Sequence, residues 1–461
     1  MNDMPQDFSS RPLTRWSVLV LASLSIFASY YFYDVYTGVK AAMSATLQFD
    51  NSDYGTMLSY YSVANTFLLM CVFGGMVLDK WGLRLGGSTF AGVMALGALV
   101  TAYGGSDLYR EGGPFYAFFS SFAPSYSAEL KMMMLGRFLF GLGSETLIVA
   151  NSKIVVKWFQ GKEMALAFGI NLALARIGTA GVLWVSPMFD YWQAAVWLGA
   201  AITVFGFVAF LFYNIFDHRL DRDRRDVRLA QGANAAPEEE FRLADLFVLL
   251  KNRSFLFITA LCVLFYSAVF PFLAYAPDML VNKFGMSDDL SSQIASIIPF
   301  GTILFTPLFG LFVDMKGKSA SMMIYGSMLL ILVHLWLSLT NLPPYVPIFV
   351  LGVAFSLVPA AMWPSVAKIV DPKTTGTAYG VMTTIQNFGL MIFPWLIGVV
   401  LDRTNPGVTA ELVEQGKASY DYTLAVLMMV GLGMMGIVFA FLLRRDDRIM
   451  GYGLERPTVS K

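Results

Sequence analysis

Four ionisable residues stand inside otherwise apolar stretches of this chain: Asp34, Arg137, Glu145 and Arg176. A charged side chain at the centre of a bilayer costs roughly 2.5–3.5 kcal/mol on insertion scales, so each calls for a partner or a water-filled cavity. A buried carboxylate can hold a ligand's ammonium group or carry a proton, and a guanidinium can fork onto a carboxylate. For Glu145 and Arg176 two arrangements stay open: they pair with each other to insert cheaply, or they grip the two ends of a zwitterionic ligand. Asp34 and Arg137 lie nearer the outer face and suit a gate or a structural pair, and Asp34 or Glu145 can also carry a coupling proton. All four belong to the N-terminal half. The C-terminal half offers amides and aromatics instead, Tyr266, Tyr275, Trp363, Gln386 and Asn387. Tyr30, Tyr33 and Asp34 share a helix face, and Tyr33, Tyr61, Tyr266 and Trp363 are candidate walls for a ligand. No nucleophile–base pair or metal-ligand cluster accompanies them, so no catalytic residue, metal or cofactor is expected and an enzyme is disfavoured.

The elements that must position these residues follow from composition. Of 461 residues 56% are hydrophobic and only 14% charged, with a mean hydropathy of +0.60, where a soluble domain carries roughly a quarter charged residues. Lipid is the expected solvent. Lys+Arg and Asp+Glu balance at 32 each, which leaves no basic surplus for nucleic acid. Two cysteines, Cys71 and Cys262, both in apolar runs, suggest neither a disulfide framework nor a metal site. Apolar runs of about 20 residues mark spanning helices, and twelve are read: 16–40, 54–78, 86–104, 131–152, 162–186, 194–216, 254–280, 290–313, 319–340, 346–369, 376–401 and 420–443. With the N-terminus in the cytosol, the tails and the even-to-odd loops hold 24 of the 32 basic residues. That is the asymmetry of the positive-inside rule, so both termini are expected in the cytosol. The long, aromatic loop 105–130 falls on the outer side.

The chain repeats itself. Gly75-Met-Val-Leu-Asp79-Lys-Trp-Gly82-Leu-Arg84 ends the second span, and Gly310-Leu-Phe-Val-Asp314-Met-Lys-Gly317-Lys318 ends the eighth. Ala165-Leu-Ala-Phe-Gly169 likewise matches Gly376-Thr-Ala-Tyr-Gly380. The two offsets, 235 and 211, differ by about the length of loop 105–130. The expectation is an all-α membrane protein of two six-helix pseudo-symmetric bundles, as in the major facilitator superfamily. Its parts are a cytosolic tail 1–15, an N-terminal bundle 16–216, a charged cytosolic linker 217–253, a C-terminal bundle 254–443 and a cytosolic tail 444–461. The Gly-xxx-Asp-x-x-Gly-x-Arg/Lys pattern resembles that superfamily's cytosolic loop signature. The resemblance implies a latch between the halves, with Asp79, Arg84 and Asp314 as gate candidates.

Depth can be estimated from helical rise. Glu145 lies eight residues before Lys153, about 12 Å from the cytosolic end, and Arg176 fourteen after Lys162, about 21 Å in. The two charges are thus near the midplane and separated by about 9 Å along the normal. The backbone ends of a dipeptide lie about 6–7 Å apart, whereas one amino acid holds its charges too close to bridge such a gap. By the 211-residue offset Asn387 is the repeat counterpart of Arg176, so a charged position has a neutral twin.

Arg137-Phe-Leu-Phe-Gly-Leu-Gly-Ser-Glu145, Lys157-Trp-Phe-Gln-Gly-Lys-Glu163, Ala173-Leu-Ala-Arg176-Ile-Gly178, Ser29-Tyr-Tyr-Phe-Tyr-Asp34, Ala361-Met-Trp363-Pro364 and Ile385-Gln-Asn-Phe-Gly389 together resemble the lysosomal dipeptide-transporter branch of the superfamily. The resemblance implies a dipeptide carrier in which Glu145 holds the peptide amine and Arg176 its carboxylate. The chain departs from animal members in its short N-terminal tail, which has no acidic dileucine signal, and in its one Asn-x-Ser/Thr sequon, Asn252-Arg253-Ser254, on the cytosolic side. A bacterial inner membrane is therefore expected. An accessory subunit, which would dock on the lumenal face, is left open. Two rival readings are a proton-coupled organic-anion or sugar-acid carrier and a non-transporting nutrient sensor.

Overall fold

The computed structural model describes residues 11–160, 163–231, 243–371 and 374–457, and every regular element among them is helical. Lipid offers peptide groups no water, so each crossing must satisfy its own backbone hydrogen bonds. The first half holds α1 (Pro12–Asp34), α2 (Lys40–Leu47), α3 (Asn51–Phe67), α4 (Met70–Gly104), α5 (Asp107–Arg110), α6 (Tyr116–Ser120), α7 (Ala128–Phe159), α8 (Met164–Val185) and α9 (Trp192–Gln231). After α10 (Leu243–Lys251) come α11 (Arg253–Phe284), α12 (Asp288–Ala295), α13 (Ile297–Lys316), α14 (Ser319–Leu339), α15 (Tyr345–Ile369), α16 (Thr375–Thr404), α17 (Ala410–Glu414) and α18 (Thr423–Met450).

Among the described residues, 11 helical stretches are long and apolar enough to cross a membrane. The remaining crossing, read from sequence as one span over 54–78, comes in two pieces. α3 stops at Phe67, Leu69 turns left-handed at φ +50°, and α4 restarts at Met70. α4 then passes the cytosolic turn at Gly82 (φ +79°), a conformation that favours glycine, and continues as the third crossing. No glycine or proline marks the break at Leu68–Leu69, so composition carries no sign of it. The loop 105–130 contains α5 and α6; the Tyr109 ring of α5 packs edge to face on Tyr116 of α6 and on Tyr103 of α4.

Two helices outrun their apolar segments. α9 continues past the expected end at 216 to Gln231, and α18 past 443 to Met450. Hydropathy marks the stretch that lipid covers, whereas a helix persists while its side chains find partners. Buried Asp217 supplies such a partner, accepting from Lys157 at 2.9 Å and from Tyr213 at 2.8 Å. Buried Asp446 does so in α18, paired with Arg253 at 2.5 Å.

The halves meet most closely where α3 runs beside α16. There a Cβ on Gly55 would overlap the Pro394 carbonyl, and one on Gly398 the Asn51 carbonyl. Helices that cannot gain from hydrophobic association inside lipid gain from such close backbone approach.

Candidate functional site

α7 and α8 carry the central charges, and α1, α3, α11, α15 and α16 enclose them. Glu145 is half-buried on α7. One carboxylate oxygen accepts from Tyr61 Oη at 2.9 Å and the other faces Cys71 Sγ at 3.7 Å. The restart of the helix at Met70 sets Cys71 there. Cys71 lies 4.0 Å from Asn387 Nδ2, and Asn387 Oδ1 accepts from Ser62 at 3.0 Å, so this neutral repeat twin reaches the first half's charged wall.

Arg176 is half-buried on α8 and makes no ion pair or hydrogen bond among the described residues. Its guanidinium carbon lies over Phe355 at 4.9 Å, Tyr30 at 5.6 Å and Phe270 at 5.7 Å. Two of the three rings belong to the second half, so the group faces across the interface and not into lipid. Cation–π contacts worth about 0.5–2 kcal/mol each partly offset the missing counter-ion. Glu145 and Arg176 therefore do not neutralise each other here.

The second-half wall is aromatic. Trp363 Nε1 donates to Tyr266 Oη at 3.0 Å, and Tyr266 stacks on Phe270 at 5.6 Å. Gln386 stands slightly apart, its Oε1 3.6 Å from Cys262 Sγ. Tyr33 packs edge to face on Tyr61 at 4.7 Å.

Arg137 and Asp34 do not form an ion pair. Arg137 is fully buried, donates to the Tyr33 carbonyl at 3.2 Å, and lies over the rings of Tyr33, Tyr36, Tyr61 and Phe140; Nε and Nη2 lack acceptors among the described residues. Asp34, also buried, accepts from Thr179 at 2.7 Å. The cytosolic gate candidates do not meet across the halves. Asp79 pairs with Lys153, and Arg84 with Asp221 at 3.4 Å, all in the first half. Asp314 is exposed on α13.

The opposite end is tied across the halves. Lys40 and Asp278 form an ion pair at 2.7 Å with side chains only 3% and 4% exposed. Lys40 also donates to Asn51 at 2.8 Å and lies over Tyr54, Tyr275 and Tyr420; Asp278 accepts from Tyr422 and Asn282. Asp402, at the end of α16, accepts from the backbone of Asn51 at 3.0 Å and of Ser52 at 2.8 Å, capping α3 from the other half. Tyr54 donates to the Ala274 carbonyl at 3.1 Å, Tyr275 to the Asn51 carbonyl at 3.4 Å, and Trp184 to Ser296 at 2.8 Å. The protein is thus sealed on its outer side, while at the cytosolic helix ends Asp79 and Arg84 pair within their own half.

Sequence reasoning missed this seal. Asp278 lies inside the span expected over 254–280 and Lys40 closes the one over 16–40, yet neither stands among the four intramembrane charges singled out above. Their place at span ends masks them as interfacial residues, and only the fold shows that they face each other.

The sequence matches the Major Facilitator Superfamily over residues 22–394 and again over 270–452. It is 31% identical over 401 residues to the human "Lysosomal dipeptide transporter MFSD1", covering 85% of this chain and 81% of that protein. It is 25% identical over 315 residues to the "Hexuronate transporter" of Bacillus subtilis, covering 65% of this chain and 72% of that protein. Among solved structures, a point mutant of the nucleoside transporter NupG superposes with a TM-score of 0.69 at 16% identity, over 93% of this chain and 99% of that one. A bacterial homologue of the human lysosomal transporter Spinster, in an inward-facing and occupied conformation, gives 0.65 at 14% identity, over 94% and 98%. These last two likenesses bear on the fold alone. With twelve crossings in two bundles and a sequence match across most of its length, this chain is a multi-pass membrane transporter of the major facilitator superfamily.

Proposed function

We propose that the chain carries short zwitterionic peptides, dipeptides above all, across the membrane by alternating access. The observation that carries this reading is that Glu145 and Arg176 share the central wall without pairing. An unpaired guanidinium among aromatic rings is poised for a carboxylate, and a carboxylate held only by neutral donors, the Tyr61 hydroxyl, the Cys71 thiol and the Asn387 amide, keeps its charge for an ammonium group. Asn387 and Gln386 would meet the peptide amide, and Trp363, Tyr266, Tyr61 and Tyr33 the side chains. The likeness to the dipeptide transporters supports the same substrate class.

In this reading the Lys40–Asp278 seal is the outer gate. Asp79, Arg84 and Asp314 form the inner latch only when the cytosolic end closes, and Asp34 and Arg137 lie between site and outer gate as the coupling or gating pair. A bacterial inner membrane is the proposed setting; the sole sequon supports it, since Asn252 caps α11 on the cytosolic side with bonds to Ser254 and Phe255.

The likeness to a hexuronate transporter favours one rival, a sugar-acid carrier that uses Arg176 alone. Thermal shift of detergent-purified protein separates the two, because a ligand of the folded state raises stability by RT ln(1+[L]/Kd). Free dipeptides should stabilise, N-acetylated and C-amidated ones should not, and Glu145→Gln or Arg176→Ala should abolish the shift. Stabilisation by sugar acids, with none by dipeptides, would overturn the peptide reading.

A further inference from the structure

The cytosolic end of α18 sorts its charges by face. Arg444, Arg445, Asp446, Asp447 and Arg448 follow one another, yet both carboxylates turn into the protein and are buried. Asp446 accepts from Ser254 and pairs with Arg253, and Asp447 accepts from the Leu454 amide at 3.0 Å. The three arginines turn the other way and make no hydrogen bond or ion pair among the described residues; the Arg444 Nε is buried with no acceptor. Together with Val438, Phe441 and Leu442 they line an open groove on the surface of α18.

Basic residues at a cytosolic helix end are expected from the helix dipole and from membrane topology. Neither effect explains why the neighbouring carboxylates are withdrawn, leaving three guanidinium groups without a carboxylate partner among the described residues along one groove. The groove is also graded. Val438 and Phe441 are 55% and 53% exposed and lie toward the bilayer core, whereas the arginines begin where the apolar run ends at Leu443. From Val438 to Arg445 the helix rises about 10 Å, enough to separate acyl chain from headgroup. Guanidinium groups fork onto phosphate oxygens, and basic pockets on the cytosolic side of membrane helices suit anionic headgroups.

We propose that this face of α18 binds an anionic phospholipid of the cytosolic leaflet. Arg444, Arg445 and Arg448 hold the phosphate, and Val438, Phe441 and Leu442 line the upper acyl chain. The site lies on a different surface from the central charges and does not depend on what the protein carries.

Native mass spectrometry of the full chain tests this, after exchange into detergent with matched phosphatidylglycerol and phosphatidylcholine. Wild type should retain phosphatidylglycerol preferentially. R444Q/R445Q/R448Q should lose that retention at least tenfold with phosphatidylcholine unchanged, and the matching triple lysine variant should keep an intermediate share, because ammonium groups lack the fork. A thermal transition equal to wild type in lipid-free detergent shows that the triple variant folds; if it does not fold, the exposed Arg445→Gln alone is compared. Equal retention of both lipids by wild type, or retained phosphatidylglycerol in the glutamine variant, would overturn the site. Displacement of the lipid by millimolar inorganic phosphate would also overturn it, by marking a free-anion site.

Discussion

Removing one partner of the Lys40–Asp278 pair should unseal the outer end, by an amount that can be worked from the geometry. Both side chains are almost wholly buried. Breaking a buried pair by deleting one partner costs about 3–5 kcal/mol, because the other charge stays buried and uncompensated. In Lys40→Met, Asp278 keeps Tyr422 and Asn282 as donors, so the lower end applies, about 3 kcal/mol, or roughly a hundredfold in the equilibrium. The penalty falls on the sealed state alone, since opening the outer end hydrates Asp278. Methionine also fits among Tyr54, Tyr275 and Tyr420 without polar demands. In the double variant Lys40→Met/Asp278→Leu no charge is left buried, and such replacements are often neutral or stabilising. The single variant should therefore shift the population outward-open and the double should restore the seal. Spin labels at Asp107→Cys and Lys417→Cys, on the outer loops of opposite halves, with Cys71 and Cys262 replaced by alanine, report the population as a distance distribution. A single variant with the wild-type distribution, or a double variant as open as the single, would refute the reasoning.

Further outcomes follow from the same contacts. Gly398→Leu should also favour the outward-open population, because the new side chain would overlap the Asn51 backbone only in the sealed state; the same labels detect it, and an unchanged distribution counts against the close α3–α16 contact as part of the gate. Arg176→Ala should abolish transport in proteoliposomes, with a larger loss than Gln386→Ala, whose side chain faces Cys262; equal rates for the two would remove Arg176 from the site. Asp79→Asn should change thermal stability by less than about 1 kcal/mol, since its pair with Lys153 is half-exposed, yet should slow flux if Asp79 belongs to an inner latch. Wild-type flux in that variant would leave Asp79 a surface ion pair.

Much of the architecture was legible because lipid imposes simple rules. Unbroken apolar runs, the Lys/Arg asymmetry and the repeated Gly-xxx-Asp motif suffice for twelve crossings and their orientation. The helix ends were less legible: α9 and α18 persist beyond their apolar stretches because Asp217 and Asp446 find partners from other helices, which no local pattern encodes. The broken second crossing was hidden for the opposite reason, since Leu68, Leu69 and Met70 are ordinary helix formers and their neighbours impose the break.

The candidate site divides in the same way. The residue types alone single out Glu145 and Arg176, because an intramembrane charge is costly wherever it occurs and calls for a reason. Whether such charges pair depends on distances of a few ångströms between helices, and only the fold sets Arg176 of α8 over Tyr30 of α1, Phe270 of α11 and Phe355 of α15, with no carboxylate at ion-pair distance among the described residues. Lys40 and Asp278 are farther still from any sequence rule. They lie 238 residues apart, each at the end of its own span where a charge is unremarkable. Transfer energies along one segment decide what enters the membrane and which way it points. The closing of one half onto the other decides which charges meet, and in this protein that is what places the outer seal.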